Sequence, residues 1–262
     1  MAIVGADSKS LLKVSGLSIR FGGLAALENV SFSVGKGEIY SIIGPNGAGK
    51  TTLFNCINGI YQAQSGSMLF NNRELLGMKA HLIAKLGIAR AFQNIELFRG
   101  LSVLDNLMSA QGHRMNYGLL GAAVFLGRCA SNEMRCREEV EEIIEFLDLQ
   151  NMRKLPVGSL PYGVQKRVEL GRALAMKPKL LLIDEPVSGM NSEATEDMAR
   201  YILDVNEEMK ITIILVEHEM GVVMDLSDQI MVLNFGQKIA EGTPGEIAQN
   251  PEVIKAYLGK PL

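Results

Sequence analysis

Gly44-Pro45-Asn46-Gly47-Ala48-Gly49-Lys50-Thr51 is the stretch on which the reading of this chain turns. It matches the pattern G-x-x-x-x-G-K-S/T, and it sits in the setting that the pattern needs. The apolar run Ile39 to Ile43 before it reads as a buried strand. Thr51 to Asn58 after it reads as a helix, with Leu53, Phe54 and Ile57 on one face and Gly59 as the stop. Glycines let the backbone wrap so that successive N–H groups aim at phosphate oxygens. The helix start adds the positive end of its dipole. Lys50 offers a point charge to the β- and γ-phosphates of a nucleotide, and Thr51 offers a hydroxyl to Mg2+. A chance match in a chain of this composition has a probability on the order of 1–2%, before the strand-loop-helix setting is counted.

Two further strand ends fit the same chemistry. Leu180-Leu181-Leu182-Ile183-Asp184-Glu185 is an apolar run closed by two acids. α/β sheets place ligands at such strand ends. Asp184 fits an acid that supports Mg2+, and Glu185 fits a base that orients or deprotonates an attacking water. Taken alone, two acids at a strand exit are more often simply solvated. The phosphate loop upstream favours the functional reading. Ile211 to Val216 is a third apolar run, and His218 follows it. A histidine there is by itself more often a satisfied surface residue than a working one. Gln93, in Arg90-Ala91-Phe92-Gln93-Asn94, carries an amide that can meet both a metal and a water.

The rest of the chain organises around these pieces. Leu11 to Phe21, Val30 to Val34 and Ser67 to Phe70 read as strands, the last running into a turn at Asn71-Asn72. Ser102 to Gln150 is helical in pattern, with Val140, Ile143, Ile144 and Leu147 on one face of Glu138 to Leu149. Ile230 to Leu233 and Lys238 to Glu241 read as a hairpin, and Thr243 to Gly259 as a helical tail. The simplest architecture is an α/β core with a helical insertion between roughly Asn94 and Leu160.

Composition narrows the class. The chain has 262 residues, 47% of them hydrophobic and 21% charged, which excludes disorder or a coiled coil as the main state. The longest apolar run, Tyr117 to Leu126, is too short for a membrane span, which needs roughly 20 residues. It reads equally as subdomain core or as a docking surface. A net charge of −3 gives no expectation of a nucleic-acid partner. Three cysteines, Cys56, Cys129 and Cys136, fit no zinc spacing and read as reduced cytosolic thiols. The first residues lack the basic start and apolar core of a signal peptide.

In this order the pieces resemble the ATP-binding cassette (ABC) family over nearly the whole chain. The resemblance implies an α/β P-loop NTPase core with an antiparallel β subdomain and an inserted α-helical subdomain. It implies one ATP-binding domain over 1–262, with the insertion at 94–160 and a C-terminal helical extension at 243–262. ATP and Mg2+ are the implied cofactors. Phe21 would stack on adenine, and Gly44, Pro45, Asn46, Gly47, Ala48, Gly49, Lys50, Thr51 and Thr52 would hold the phosphates. Thr51, Gln93 and Asp184 would meet the metal. Glu185, His218 and Gln93 would serve hydrolysis, with His218 sensing the γ-phosphate.

Where that family carries Leu-Ser-Gly-Gly-Gln, this chain reads Leu160-Pro161-Tyr162-Gly163-Val164, matching only at Leu160 and Gly163. Pro161 suits the first turn of a helix, because it needs no N–H there. Gly163 lets the backbone approach a ligand. Pro161, Tyr162 and Gly163 would present helix-terminal amides to a γ-phosphate held by a second cassette, without the serine hydroxyl.

The variant is itself informative. Leu160 to Gln165, Phe92 to Phe98, Ser102 to Leu107 and the ending Asn250 to Gly259 resemble the ATPases of branched-chain amino-acid importers. So does Pro186 to Asn191, with Asn191 where most cassettes carry aspartate. The Tyr117 to Arg128 insertion is similar to the longer of that importer's two ATPase types. The resemblance implies a second ATPase subunit, two membrane-spanning permease subunits and, indirectly, an extracytoplasmic solute-binding protein. It places the chain peripherally at the cytoplasmic face of the inner membrane. Urea and short-amide importers carry closely similar subunits, so the solute stays open. Two rival classes remain: a degenerate cassette that binds ATP while a partner hydrolyses it, and a soluble cassette acting on DNA or ribosomes. Glu185 and His218 argue against the first. Lack of a long coiled coil, of a second cassette and of a basic surface excess argues against the second.

Overall fold

The computed structural model describes residues 10–91, 96–113 and 128–258. Ser10–Phe21 (β1) and Leu24–Gly35 (β2) form a long antiparallel pair. Ile39–Ile43 (β3) leaves it for a second sheet, and Lys50–Ile57 (α1) follows. Ser65–Phe70 (β4) and Arg73–Glu74 (β5) complete an antiparallel sheet of order β2-β1-β4-β5. The β4–β5 turn has Asn71 at φ 48° and Asn72 at φ 63°. Asparagine tolerates the left-handed region that a tight hairpin demands.

Ala80–Lys85 (α2) and Ile88–Ala91 (β6) come next, then Val103–Ala110 (α3) and Arg128–Phe146 (α4). Tyr162–Leu174 (α5), Leu180–Asp184 (β7), Ser192–Met209 (α6) and Thr212–Val216 (β8) restore strand-helix alternation. Met220–Leu226 (α7), Gln229–Asn234 (β9), Gln237–Gly242 (β10), Pro244–Ala248 (α8) and Pro251–Leu258 (α9) close the described chain. The second sheet runs β10-β9-β3-β8-β7-β6, parallel throughout except for the β9–β10 hairpin.

Every residue of β3, β7 and β8 is buried, and these strands are largely apolar rather than alternating, with Ser41, Asp184 and Thr212 as their buried polar members. Their side chains still divide by parity. Leu181, Ile183, Ile213 and Leu215 join Val140, Val168 and Ile202 on the helical face. Leu180, Leu182, Ile214 and Val216 join Leu53, Phe54 and the antiparallel sheet on the other. Among the described residues, no helix is long and apolar enough to cross a membrane.

Several readings from sequence are modified. The second strand begins at Leu24, well before Val30. Asn29 sits at φ 52° and Gly16 at φ 60°, and the β1–β2 register shifts repeatedly, so bulges break the period of two that would have shown it. Strand β6 and helices α2, α6 and α7 carry no counterpart in the sequence reading. Pro161 is the N-cap rather than the first helical residue, at φ −56° and ψ 151°. Gln93 and the Tyr117 to Leu126 run lie outside the described residues.

Candidate nucleotide site

The phosphate loop leaves β3 between its neighbours β8 and β9. Gly44 has φ 152°, and a Cβ there would lie 2.1 Å from the Leu233 carbonyl oxygen on β9. Gly49 has φ 107°, and a Cβ there would lie 2.6 Å from the Ala26 oxygen on β2. Both glycines are therefore required by close backbone approach as well as by conformation. Three backbone bonds hold the loop: Ala48 N–H to Pro45 O at 3.1 Å, Gly236 N–H to Ala48 O at 2.9 Å and Leu53 N–H to Gly49 O at 2.9 Å. Gly49 caps α1 with no side-chain hydrogen bond, which leaves the helix start to an outside acceptor.

The Lys50 ammonium folds over this loop, donating to Gly44 O at 2.6 Å and Pro45 O at 3.2 Å. Burial holds its pKa below the usual lysine value, while Glu185 and Asp184 pull it back up. Asn46, Gly47 and Thr51 are exposed, and Thr52 is half-buried. Phe21 ends β1, is 46% exposed, and meets Tyr61 edge-to-face with ring centroids 5.1 Å apart.

Asp184 closes β7, is buried, and pairs with Arg90 Nη2 from β6 at 2.5 Å. Arg90 Nη1 donates to Asn55 Oδ1 on α1 at 2.7 Å, and its guanidinium lies 5.4 Å from the Phe54 ring centroid. Arg90 thus ties the first acid to the helix that follows the phosphate loop. Sequence reasoning passed over it, because an arginine within a short edge strand carries no motif.

Glu185 follows at φ 48°, a left-handed backbone that a non-glycine residue adopts at a cost of about 1–3 kcal/mol. Its N–H donates to Val216 O on β8 at 2.8 Å, which anchors that turn. Its Oε2 lies 3.3 Å from His218 Nε2. Burial pushes the Glu185 carboxyl above the ordinary range. Asp184 and Glu217 add to that, while His218 and Lys50 oppose it. The carboxylate is thereby a stronger base than a solvated one. Lys50, Asp184, Glu185 and His218, expected from sequence, thus converge at the ends of β3, β7 and β8.

The signature segment lies at a separate cavity of about 430 Å3, lined by Pro161, Tyr162, Gly163, Val164, Arg167, Met190 and Asn191 among others. No side chain caps the start of α5, so its amides are available there too. Asn191 caps α6, its side chain accepting from Ala194 N–H at 2.9 Å. Asparagine serves that capping role as well as aspartate does. Lys166 on α5 is buried, and burial holds its pKa below the usual lysine value, while Glu169, Asp184, Glu185 and Glu217 pull it back up.

Comparison with known proteins bears on the chain as a whole. The ABC transporter family model matches residues 27–188, and the model for the branched-chain amino acid ATP-binding cassette transporter matches 237–261. The chain is 40% identical to the high-affinity branched-chain amino acid transport ATP-binding protein BraF of Pseudomonas aeruginosa, over 97% of this chain and 99% of the relative. It is 38% identical to LivG of Escherichia coli, which bears the same description, with the same coverage. Among solved structures it is similar to the ADP conformation of MJ1267, an ATP-binding cassette of an ABC transporter. There the TM-score is 0.83 at 31% identity, over 96% of this chain and 99% of that one. The chain belongs to the ABC transporter family, as one of its ATPase subunits.

Proposed function

We propose that this subunit hydrolyses ATP with Mg2+ to drive uptake of branched-chain amino acids through membrane permease subunits. The observation that carries the hydrolytic reading is the convergence of Lys50, Asp184, Glu185 and His218 at the C-terminal ends of β3, β7 and β8. The solute is supported by the match of the C-terminal 237–261 segment and by the relatives' names.

The residues present fit Mg2+. Thr51 hydroxyl and Asp184 carboxylate are hard oxygen donors, few in number, as suits an ion that keeps waters and phosphate oxygens. Bound there with Thr51, Asp184 and Gln93, the ion would neutralise charge developing on the phosphates. The chain supplies the remaining functions. The loop amides and Lys50 hold the phosphates, and Phe21 takes the adenine face. Glu185 orients water and accepts its proton. His218, whose Nε2 lies 3.3 Å from Glu185 Oε2, would meet the γ-phosphate beside it.

The cavity at the signature helix includes no residue of the phosphate loop, which supports a pairing of two cassettes. One subunit's Pro161-Tyr162-Gly163 segment would cap ATP held on the other's loop. Closure then depends on the γ-phosphate and reverses when it leaves. A groove of about 530 Å3, lined by Ile60, Ala84, Arg90, Phe98, Arg172 and Met176 among others, lies between α2, β6, α3 and α5. Phe98 is 56% exposed beside it. We assign this groove to the permease, at the cytoplasmic face of the membrane. The helices between β6 and α5 would form the inserted subdomain, and residues from 243 onward a C-terminal extension.

The test is uptake by the transporter co-purified in mild detergent and reconstituted into vesicles. Leucine, isoleucine and valine should accumulate only with internal ATP. Accumulation of urea with no leucine uptake would replace the branched-chain reading by the amide one.

A further inference from the structure

Glu217, the residue before His218, is only 1% exposed. A buried carboxylate needs strong donors, and its two oxygens find them on two different loops. Oε1 accepts from Val187 N–H at 3.2 Å, two residues beyond Glu185. Oε2 accepts from His218 N–H at 2.7 Å and from Glu219 N–H at 3.2 Å. The backbone join between β7 and β8 reaches its end at Glu185 N–H to Val216 O, 2.8 Å. Glu217 carries that join onward with a side chain, into the loops themselves. Lys166 on the signature helix is electrostatically attracted to the same carboxylate.

We propose that Glu217 is a positioning residue for hydrolysis. It ties the loop that carries His218 to the loop that leaves Glu185, and so keeps the 3.3 Å contact between those two side chains. Glu217 touches neither phosphate nor water in this account and acts through the two loops. The proposal rests on the roles given above to Glu185 and His218.

The test uses the full-length chain, alone and with the subunits that co-purify with it. Glu217→Gln keeps the shape of the side chain but turns an acceptor into a donor, so only one of the two loops stays tied. The chain has three histidines, His81, His113 and His218, so imidazole NMR can follow His218 directly. Expected are ATP affinity within about threefold of the unaltered chain, single-turnover hydrolysis slowed by about tenfold or more, and a shifted His218 signal beside an unchanged His81 signal. Should Glu217→Gln fail to fold, Glu217→Asp keeps the charge but is too short to span both loops, and should move the His218 signal the same way.

Hydrolysis within about twofold of normal in Glu217→Gln overturns the proposal, provided Glu185→Gln is inactive in the same assay. Slowed hydrolysis with an unmoved His218 signal overturns it as well. Full turnover by Glu185→Gln would instead remove the site reading on which the proposal rests.

Discussion

The phosphate loop presents backbone N–H groups whose directions are set by Gly44 and Gly49, whereas the corner beside it presents side chains drawn from three strands. The loop's shape is enforced by close approach to β9 and β2. The corner's shape is enforced by polar ties: Arg90 to Asp184 and Asn55, and Glu217 to the loops of Val187 and His218. A backbone device fails when a side chain is added. A side-chain device fails when one is removed. Substitutions in the two regions should therefore damage different properties.

The largest expected effect is at the loop. Gly44→Ala puts a methyl 2.1 Å from the Leu233 oxygen, at a φ that alanine avoids. A loss of about 4 kcal/mol or more in unfolding free energy is expected, with ATP binding abolished. An alanine variant with an unchanged melting temperature would break the comparison on the loop side. Next is Arg90→Met, which leaves Asp184 buried without its counter-charge. It should destabilise the fold by about 3 kcal/mol, measured by denaturant unfolding.

Lys50→Ala should leave the fold nearly intact, since among the described residues the ammonium donates only to two loop carbonyls. Its ATP affinity, read by calorimetry, should fall by about 100-fold or more. Equal affinity would mean that the amides alone carry the phosphates. The smallest effect is at Asn191. Asn191→Ala removes the cap of α6 and should lower stability by about 1 kcal/mol, while Asn191→Asp should change it little.

The same contrast explains what the sequence could disclose. The loop is contiguous, and its glycines and lysine are fixed by local geometry, so eight consecutive residues identify it. Asp184 and Glu185 were legible as the end of an apolar run once the loop supplied a reason to look there, while His218 gained weight only from the family resemblance. Arg90 and Glu217 were not. Each works through a partner far away in sequence, Asp184 on the neighbouring strand for one and Val187 on the neighbouring loop for the other, and only the order β3-β8-β7-β6 brings them together. Strand β2 was shortened in the reading because bulges at Gly16 and Asn29 scrambled its period. The signature segment, matching at only two positions, was placed by its order in the chain and by the family resemblance.

That site is an ATP-hydrolysing centre only if Glu185 does what its position and raised basicity imply. The direct measurement is ATP affinity and ATP turnover on one sample of Glu185→Gln, in the assembled transporter. The account predicts affinity within about threefold of the unaltered protein and turnover lower by about 100-fold or more. Turnover near that of the unaltered protein, with ATP still bound, would contradict it.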